Sequence, residues 1–255
     1  MQLCYDEPMK RRIMWSVVIG CVGVALGALG FLYWQRQANA PLDFVQVGLV
    51  PEEGVSVSGR YYASPGKVEK RGVILLHMLG GTQNAWKPFV RSLHDANYEV
   101  MTLDFRGHGE SSGDWQAMTD AEYAKLANDA AEAVEYLRDI DSDMHIAVVG
   151  ASIGANVALQ LADRDPSISA VALLSPAQSY HGITITDAAA NFDRPIYFIT
   201  SQTDDQSLQA TTELYESSSS AGKQLKSYKK GGHGTELLTH QDLDDLLIDW
   251  FSEVL

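Results

Sequence analysis

From residue 41 onward the chain alternates short apolar runs with longer stretches of helical periodicity. The strand candidates cover residues 44–50, 55–62, 72–77, 99–104, 145–150, 170–174, 195–200 and 224–228. The inner runs, VILLH, IAVVG, AVALL and IYFIT, are almost continuously apolar. That is the pattern of parallel strands covered by helices on both faces. The first two runs are bounded by turn residues (PEEG, SPGK) and suit an antiparallel edge pair. Helical patterns fall between, over residues 119–140, 152–162, 205–217 and 238–254. The longest opens with Thr119 and Glu122, the spacing of a capping box. Its Tyr123, Leu126, Ala130, Val134 and Leu137 recur on one stripe that a core would bury. Repeated strand-then-helix order predicts one α/β domain, residues 43–255, around a mostly parallel eight-stranded sheet with helices on both faces.

The first forty residues form a separate object. Residues 13–34 carry no charge, and as a helix rising roughly 1.5 Å per residue they suffice to cross about 30 Å of hydrocarbon. Trp15, Tyr33 and Trp34 lie near the ends, where amphipathic rings favour the interface. Lys10, Arg11 and Arg12 precede the segment and only Arg36 follows closely. The positive-inside bias therefore predicts a cytoplasmic tail (1–12), a single-pass transmembrane signal anchor (13–34), a linker (35–42) and the globular domain on the periplasmic or extracellular side. Two other fates compete. Val18-Ile19-Gly20-Cys21 resembles a bacterial lipobox, with lipidation at Cys21, and Ala38-Asn39-Ala40 has a small-x-small cleavage pattern, although Pro41 opposes cleavage there. Gly23 and Gly27 form a G-x-x-x-G, either a homodimer seam or the ordinary glycine content of a membrane helix.

Composition narrows the partners. A net charge of −14 argues against nucleic acid. Both cysteines, Cys4 and Cys21, precede residue 40, so the globular part holds no disulfide. No H-E-x-x-H, cysteine cluster or phosphate-binding glycine loop is present, so neither a metal nor a cofactor is implied.

The candidate chemistry centres on Gly150-Ala151-Ser152-Ile153-Gly154, between HIAVV and ANVALQLA. A serine at a sharp strand-to-helix turn projects its hydroxyl above the sheet edge, and glycines flank it where strand and helix pass too close for a side chain. The helix start brings free N–H groups toward a developing oxyanion. Such a serine needs a base. Among seven histidines, His94 and His145 fall in surface contexts, His181 and His240 lie without an obvious partner, and His77 and His108 look architectural. His233, in the glycine-rich KKGGHGTELL after the last strand candidate, is the candidate base. The carboxylate that would orient it is Asp204, just past IYFIT, with Asp205 as alternative or as helix cap.

Three segments together resemble the α/β-hydrolase superfamily: VILLHMLGGTQNAW its third strand and oxyanion loop, LDFRGHGESSG its D-x-R-G-H-G-x-S segment, and GASIG its nucleophile elbow. The chain order Ser152, Asp204, His233 is also that family's order. The likeness is greatest to small dienelactone-hydrolase-like and esterase-like bacterial members. It implies an α/β-hydrolase fold and an oxyanion hole of two backbone amides, those of Ile153 and of Leu79, or Met78 if the loop is shifted. Asp104, Arg106 and His108 are then expected to fix a turn beside the site. Trp86 is expected as core or substrate wall, with Met78, Tyr180 and His181 near the rim. The stretch between AVALL and PIYFI is too short for a cap domain, which predicts an open site. The functional expectation is a membrane-anchored serine hydrolase of small carboxylic esters. A peptidase or lysophospholipase/lipase of the same fold and a catalytically silent binding domain are the competitors.

Overall fold

The computed structural model of the chain describes residues 41–66 and 70–255. The candidate membrane span 13–34, Cys4, Cys21, Gly23 and Gly27 lie outside the described residues. Among the described residues, no helix is long and apolar enough to cross a membrane.

Eight strands form one sheet: β1 Val45–Leu49, β2 Val57–Tyr62, β3 Arg71–Leu76, β4 Glu99–Asp104, β5 His145–Ala151, β6 Ile168–Leu174, β7 Ile196–Ser201 and β8 Lys223–Tyr228. Their spatial order is β1-β2-β4-β3-β5-β6-β7-β8. The β1–β2 edge pair is antiparallel, as its turn residues suggest, and β2 also runs antiparallel to β4. Every other neighbouring pair is parallel. The apolar runs explain that arrangement. Val73, Ile74, Leu75 and Leu76 of β3 are fully buried on both faces, which requires helices above and below.

Five helices supply that cover: α1 Lys87–Asp95, α2 Leu126–Ile140, α3 Ile153–Arg164, α4 Asp205–Ser217 and α5 Gln241–Val254. Helices α1 and α5 pack together, while α2 packs on α3. The predicted helix over 119–140 is interrupted. Thr119 and Glu122 do form the capping box, but it closes a single turn, Asp120–Tyr123, and α2 starts afresh at Leu126. Tertiary ties hold this break. Lys125 Nζ reaches Glu52 Oε2 at 3.0 Å, and buried Asp129 accepts the Arg106 backbone N–H at 2.9 Å and its guanidinium at 2.6 Å. The apolar stripe still faces inward, with Tyr123, Leu126, Ala130, Val134 and Leu137 all buried.

The connection between β6 and β7 holds only a two-residue-strand hairpin, Ser179–Tyr180 with Ile183–Thr184, and a short helix, Thr186–Asn191. The hairpin turn places His181 at φ 45° and Gly182 at φ 77°, the double positive-φ turn suited to tight hairpins.

Candidate active site

The carboxyl ends of the parallel strands converge where open α/β sheets place their ligands. At the end of β5 the chain turns directly into α3 through Ser152, at φ 54° and ψ −120°. A serine in that region is strained and persists only where its surroundings over-determine it. They do so here. The Ser152 N–H donates to the Leu174 carbonyl at 2.8 Å, tying the turn to the end of β6. A Cβ at Gly150 would sit 2.0 Å from the Gly154 oxygen, and one at Gly154 would sit 2.4 Å from the Leu76 oxygen. Both obstacles are backbone, so neither position admits a side chain.

His233 is presented by the loop after β8. Its backbone N–H donates to Glu236 Oε2 at 2.9 Å, and the next residue, Gly234, donates its N–H to Ser175 Oγ at 3.0 Å. His233 Nδ1 lies 2.6 Å from Asp204 Oδ2 and 3.1 Å from Ser207 Oγ. A carboxylate at Nδ1 favours the tautomer with the proton there, which leaves Nε2 with its basic lone pair. Asp204 is the N-cap residue of α4, yet its side chain makes no capping hydrogen bond. Its carboxylate is turned to His233 instead. Asp205 is not the cap but lies one position later, in the first turn of α4.

Ser152 and His233 line one pocket of about 210 Å³, together with Ile153, Ser175, Ala177, Tyr180, Gln206 and Ser207. The structure thus brings His233 onto Asp204, and Ser152 and His233 onto one cavity. Among the described residues Ser152 Oγ makes no hydrogen bond. Such bonds are often long in unliganded sites and tighten around substrate.

The loop after β3, the candidate oxyanion loop, is organised by a buried histidine. His77 Nε2 accepts the Phe105 N–H at 3.0 Å, and its Nδ1–H donates to the Met78 carbonyl at 2.8 Å. Burial pushes its pKa down to about 4, which keeps the ring neutral and in that tautomer near pH 7. The Met78 carbonyl also accepts the Gly81 N–H at 2.9 Å. Carbonyl and N–H point oppositely across a trans peptide, so these bonds aim the Leu79 N–H away from His77 and Gly81. Among the described residues neither the Leu79 nor the Ile153 amide has an acceptor. Ile153 lines the pocket and Leu79 stands half-buried outside its lining.

Other expected residues have different duties. Trp86 is fully buried and packs on Phe89, so it is core and not a substrate wall. Met78 is half-buried and does not line the pocket; its sulfur lies 3.6 Å from Thr235 Oγ1, bracing the His233 loop. Tyr180 does line the pocket. His181 and His240 have partners that the sequence does not reveal. His181 stacks on Tyr123, 4.1 Å between ring centres, and His240 stacks on Tyr228 at 3.8 Å. In LDFRGHGESSG the Asp104 carboxylate accepts the N–H groups of Gln83 at 2.7 Å and Glu110 at 3.0 Å. Arg106 pairs with Asp129, and His108 donates to the Arg106 carbonyl at 3.0 Å. All of these are turn-fixing contacts.

Three polar side chains escaped sequence reasoning: Ser175 at the end of β6, Ser207 in the first turn of α4, and Asn156 in α3. Asn156 is fully buried, donates to the Ala177 and Ile183 carbonyls at 2.9 and 3.1 Å, and accepts the Ala177 N–H at 3.0 Å. It ties the hairpin segment to the helix that carries Ser152. For Ser175 a signal existed, since it directly follows an apolar strand whose carboxyl end must face the ligand.

Comparison with known proteins agrees with this architecture. The family model described as serine aminopeptidase, S33, matches residues 68–183. A protein of Variovorax paradoxus named as a carbamate hydrolase, RutD, is 34% identical over 119 residues, covering 47% of this chain and 42% of that protein. The dihydrolipoyllysine-residue acetyltransferase component of an acetoin cleaving system from Cupriavidus necator is 34% identical over 143 residues, 56% of this chain and 34% of that protein. The matches therefore span less than half the length of either curated relative. Among solved structures, the Pyrococcus furiosus esterase Pf2001 superposes with a TM-score of 0.72 at 19% identity, over 84% of this chain and 93% of that one. Est1E from Butyrivibrio proteoclasticus, with ferulic acid bound, gives 0.67 at 14% identity, over 81% and 96%. These structural likenesses speak for the fold. Together these findings give the chain an α/β-hydrolase fold, with a sequence likeness to hydrolases that extends over part of the chain.

Proposed function

We propose that the chain is a membrane-tethered serine hydrolase that cleaves carboxylic esters through an acyl-enzyme on Ser152. The observation that supports this most is the 2.6 Å contact between His233 Nδ1 and Asp204, with His233 sharing a cavity with the strained Ser152. Ser152 Oγ attacks the ester carbonyl carbon while His233 Nε2 takes its proton. Asp204 stabilises the imidazolium so formed. The N–H groups of Leu79 and Ile153 bind the tetrahedral oxyanion, each such donor contributing roughly 3–4 kcal/mol to the transition state. Collapse breaks the bond to the alkoxide, which leaves with the proton from His233. Water then repeats the sequence on the acyl-enzyme and restores Ser152.

Residues 13–34 are the proposed anchor, with the hydrolase domain on the periplasmic or extracellular side and lipidation at Cys21 as the competing attachment. The test is kinetic, on the full chain purified in detergent with p-nitrophenyl butyrate. An initial burst of nitrophenol equal to the enzyme concentration, lost in Ser152→Ala and His233→Ala, is expected. Turnover unchanged in Ser152→Ala refutes the proposal.

A second reading, an aminopeptidase, is favoured by the description of the matching family model. It would need a carboxylate to receive the α-ammonium of its substrate. No Asp or Glu lines the described pocket, which favours the ester reading. Alanyl and leucyl p-nitroanilides in the same assay decide between them: faster cleavage of these than of the butyrate ester would favour the peptidase.

A further inference from the structure

We infer that the pocket beside Ser152 selects short, uncharged acyl groups and rejects acyl groups that end in a carboxylate, with Gln206 as the residue controlling this choice. The inference rests on the proposed ester hydrolysis at Ser152 and adds to it the class of acyl group.

Size is the first argument. A cavity of about 210 Å³ is smaller than the roughly 300–1,000 Å³ that accommodates drug-sized ligands. The hairpin limits it on one side through Tyr180, and Asn156 holds that hairpin through the Ile183 and Ala177 backbone. With the β6–β7 connection limited to a hairpin and one short helix, the acyl group has no enclosed tunnel above the site in which to extend.

Charge is the second. The polar groups of the wall are hydroxyls and one amide, from Ser175, Tyr180, Ser207 and Gln206, and no Lys or Arg lines the described pocket. A carboxylate entering it would lose hydration without gaining a cation, which is strongly unfavourable. Apart from the N-terminus of α3, which the reading above gives to the oxyanion, the N-terminus of α4 is the local field that would welcome an anion. It already carries two carboxylates, Asp204 at the cap and Asp205 in the first turn. Glu236 adds a third carboxylate nearby, accepting the His233 backbone N–H at 2.9 Å. The chain's net charge of −14 adds a repulsive field at longer range. An acyl group with a terminal carboxylate therefore approaches a residue already held by two carboxylates, Asp204 at its ring and Glu236 at its backbone.

Gln206 occupies the position from which this can be changed. It is exposed, stands in the first turn of α4 next to Asp205, and lines the cavity. A cation there would reach the acyl pocket without replacing any group proposed to take part in bond making.

The experiment compares p-nitrophenyl butyrate, hemisuccinate and octanoate as substrates of the full-length enzyme. Butyrate and hemisuccinate differ chiefly by the terminal carboxylate. The expected result is a kcat/KM for butyrate at least ~30-fold above that for hemisuccinate, equivalent to roughly 2 kcal/mol, and also above that for octanoate. Gln206→Arg should narrow the butyrate-to-hemisuccinate ratio about tenfold, and Gln206→Glu should widen it. Added salt should narrow the wild-type ratio, since part of the rejection is long-range. A wild-type ratio within about twofold of unity overturns the inference while leaving ester hydrolysis intact, as does octanoate preferred over butyrate. A ratio unmoved by Gln206→Arg overturns the role of Gln206. No turnover of any ester, with Ser152 unreactive, overturns the parent reading and this one together.

Discussion

Asn156→Ala is the substitution whose consequence the structure specifies most fully. The side chain is fully buried and makes three hydrogen bonds, to the Ala177 N–H, the Ala177 carbonyl and the Ile183 carbonyl. A net contribution of about 1 kcal/mol per hydrogen bond gives roughly 3 kcal/mol for the set. The backbone groups left behind are buried or half-buried, and unpaired polar groups in such places push the cost upward. For a domain of this size 1 kcal/mol corresponds to about 2–4 °C in Tm, so a loss of roughly 6–12 °C is expected in a calorimetric or circular-dichroism melt. The functional effect should be larger than the stability effect alone predicts. Ala177 and the Tyr180 hairpin form one wall of the pocket, so KM for short esters should rise even at temperatures where the variant is fully folded. Arg164→Ala, at the exposed end of the same helix, is the control and should change stability by less than about 0.5 kcal/mol. An Asn156→Ala protein that melts within 2 °C of wild type, with unchanged KM, would refute the idea that this side chain organises the acyl wall.

Asp204→Asn should lower kcat by about 10³–10⁴-fold, because the amide presents the wrong partner to the imidazole; Asp205→Asn should stay within a few-fold, and equal losses in the two would sink the assignment. Gly154→Ala must displace the Leu76 and His77 carbonyls, 2.4 and 2.7 Å from the new methyl, so it should abolish activity or soluble expression; a fully active variant would contradict the elbow geometry. His77 gives a pH signature. Its folded pKa is depressed to about 4 from the ordinary 6.5, so its neutral form contributes fully above pH 6.5. That contribution is lost as pH falls toward 4, by up to roughly 3 kcal/mol. Urea unfolding between pH 7 and 4 should show a shallower loss in a folded His77→Asn variant than in wild type, and parallel curves would count against it.

The sheet was legible because burial on both faces leaves a plain trace: VILLH and IAVVG have no polar alternation to misread. The serine turn was legible because two backbone approaches demand glycine at 150 and 154, and few other structural needs produce that spacing. Asp204 was harder to separate from Asp205, since both adjoin a helix start; only the direction of the carboxylate distinguishes them, and it points to His233 at the expense of capping α4. The sequence predicts one continuous helix over 119–140 because its apolar stripe is continuous. The break near Lys125 comes from Glu52 and Arg106, distant in sequence, whose pull no local periodicity records. Trp86 was ambiguous for a related reason, because a tryptophan beside an active-site loop looks alike in sequence whether it faces the core or the substrate. Asn156 left no signal at all: inside a helix of small apolar residues, its partners belong to a loop more than one element away.

The central claim is that Ser152 is the nucleophile of a working site, and covalent trapping tests it most directly. The full-length enzyme treated with a fluorophosphonate and digested for peptide mapping should carry one adduct per chain, on Ser152. The adduct should be absent in Ser152→Ala and formed far more slowly in His233→Ala. A folded protein that takes up no reagent, or takes it up on another residue, would contradict the account.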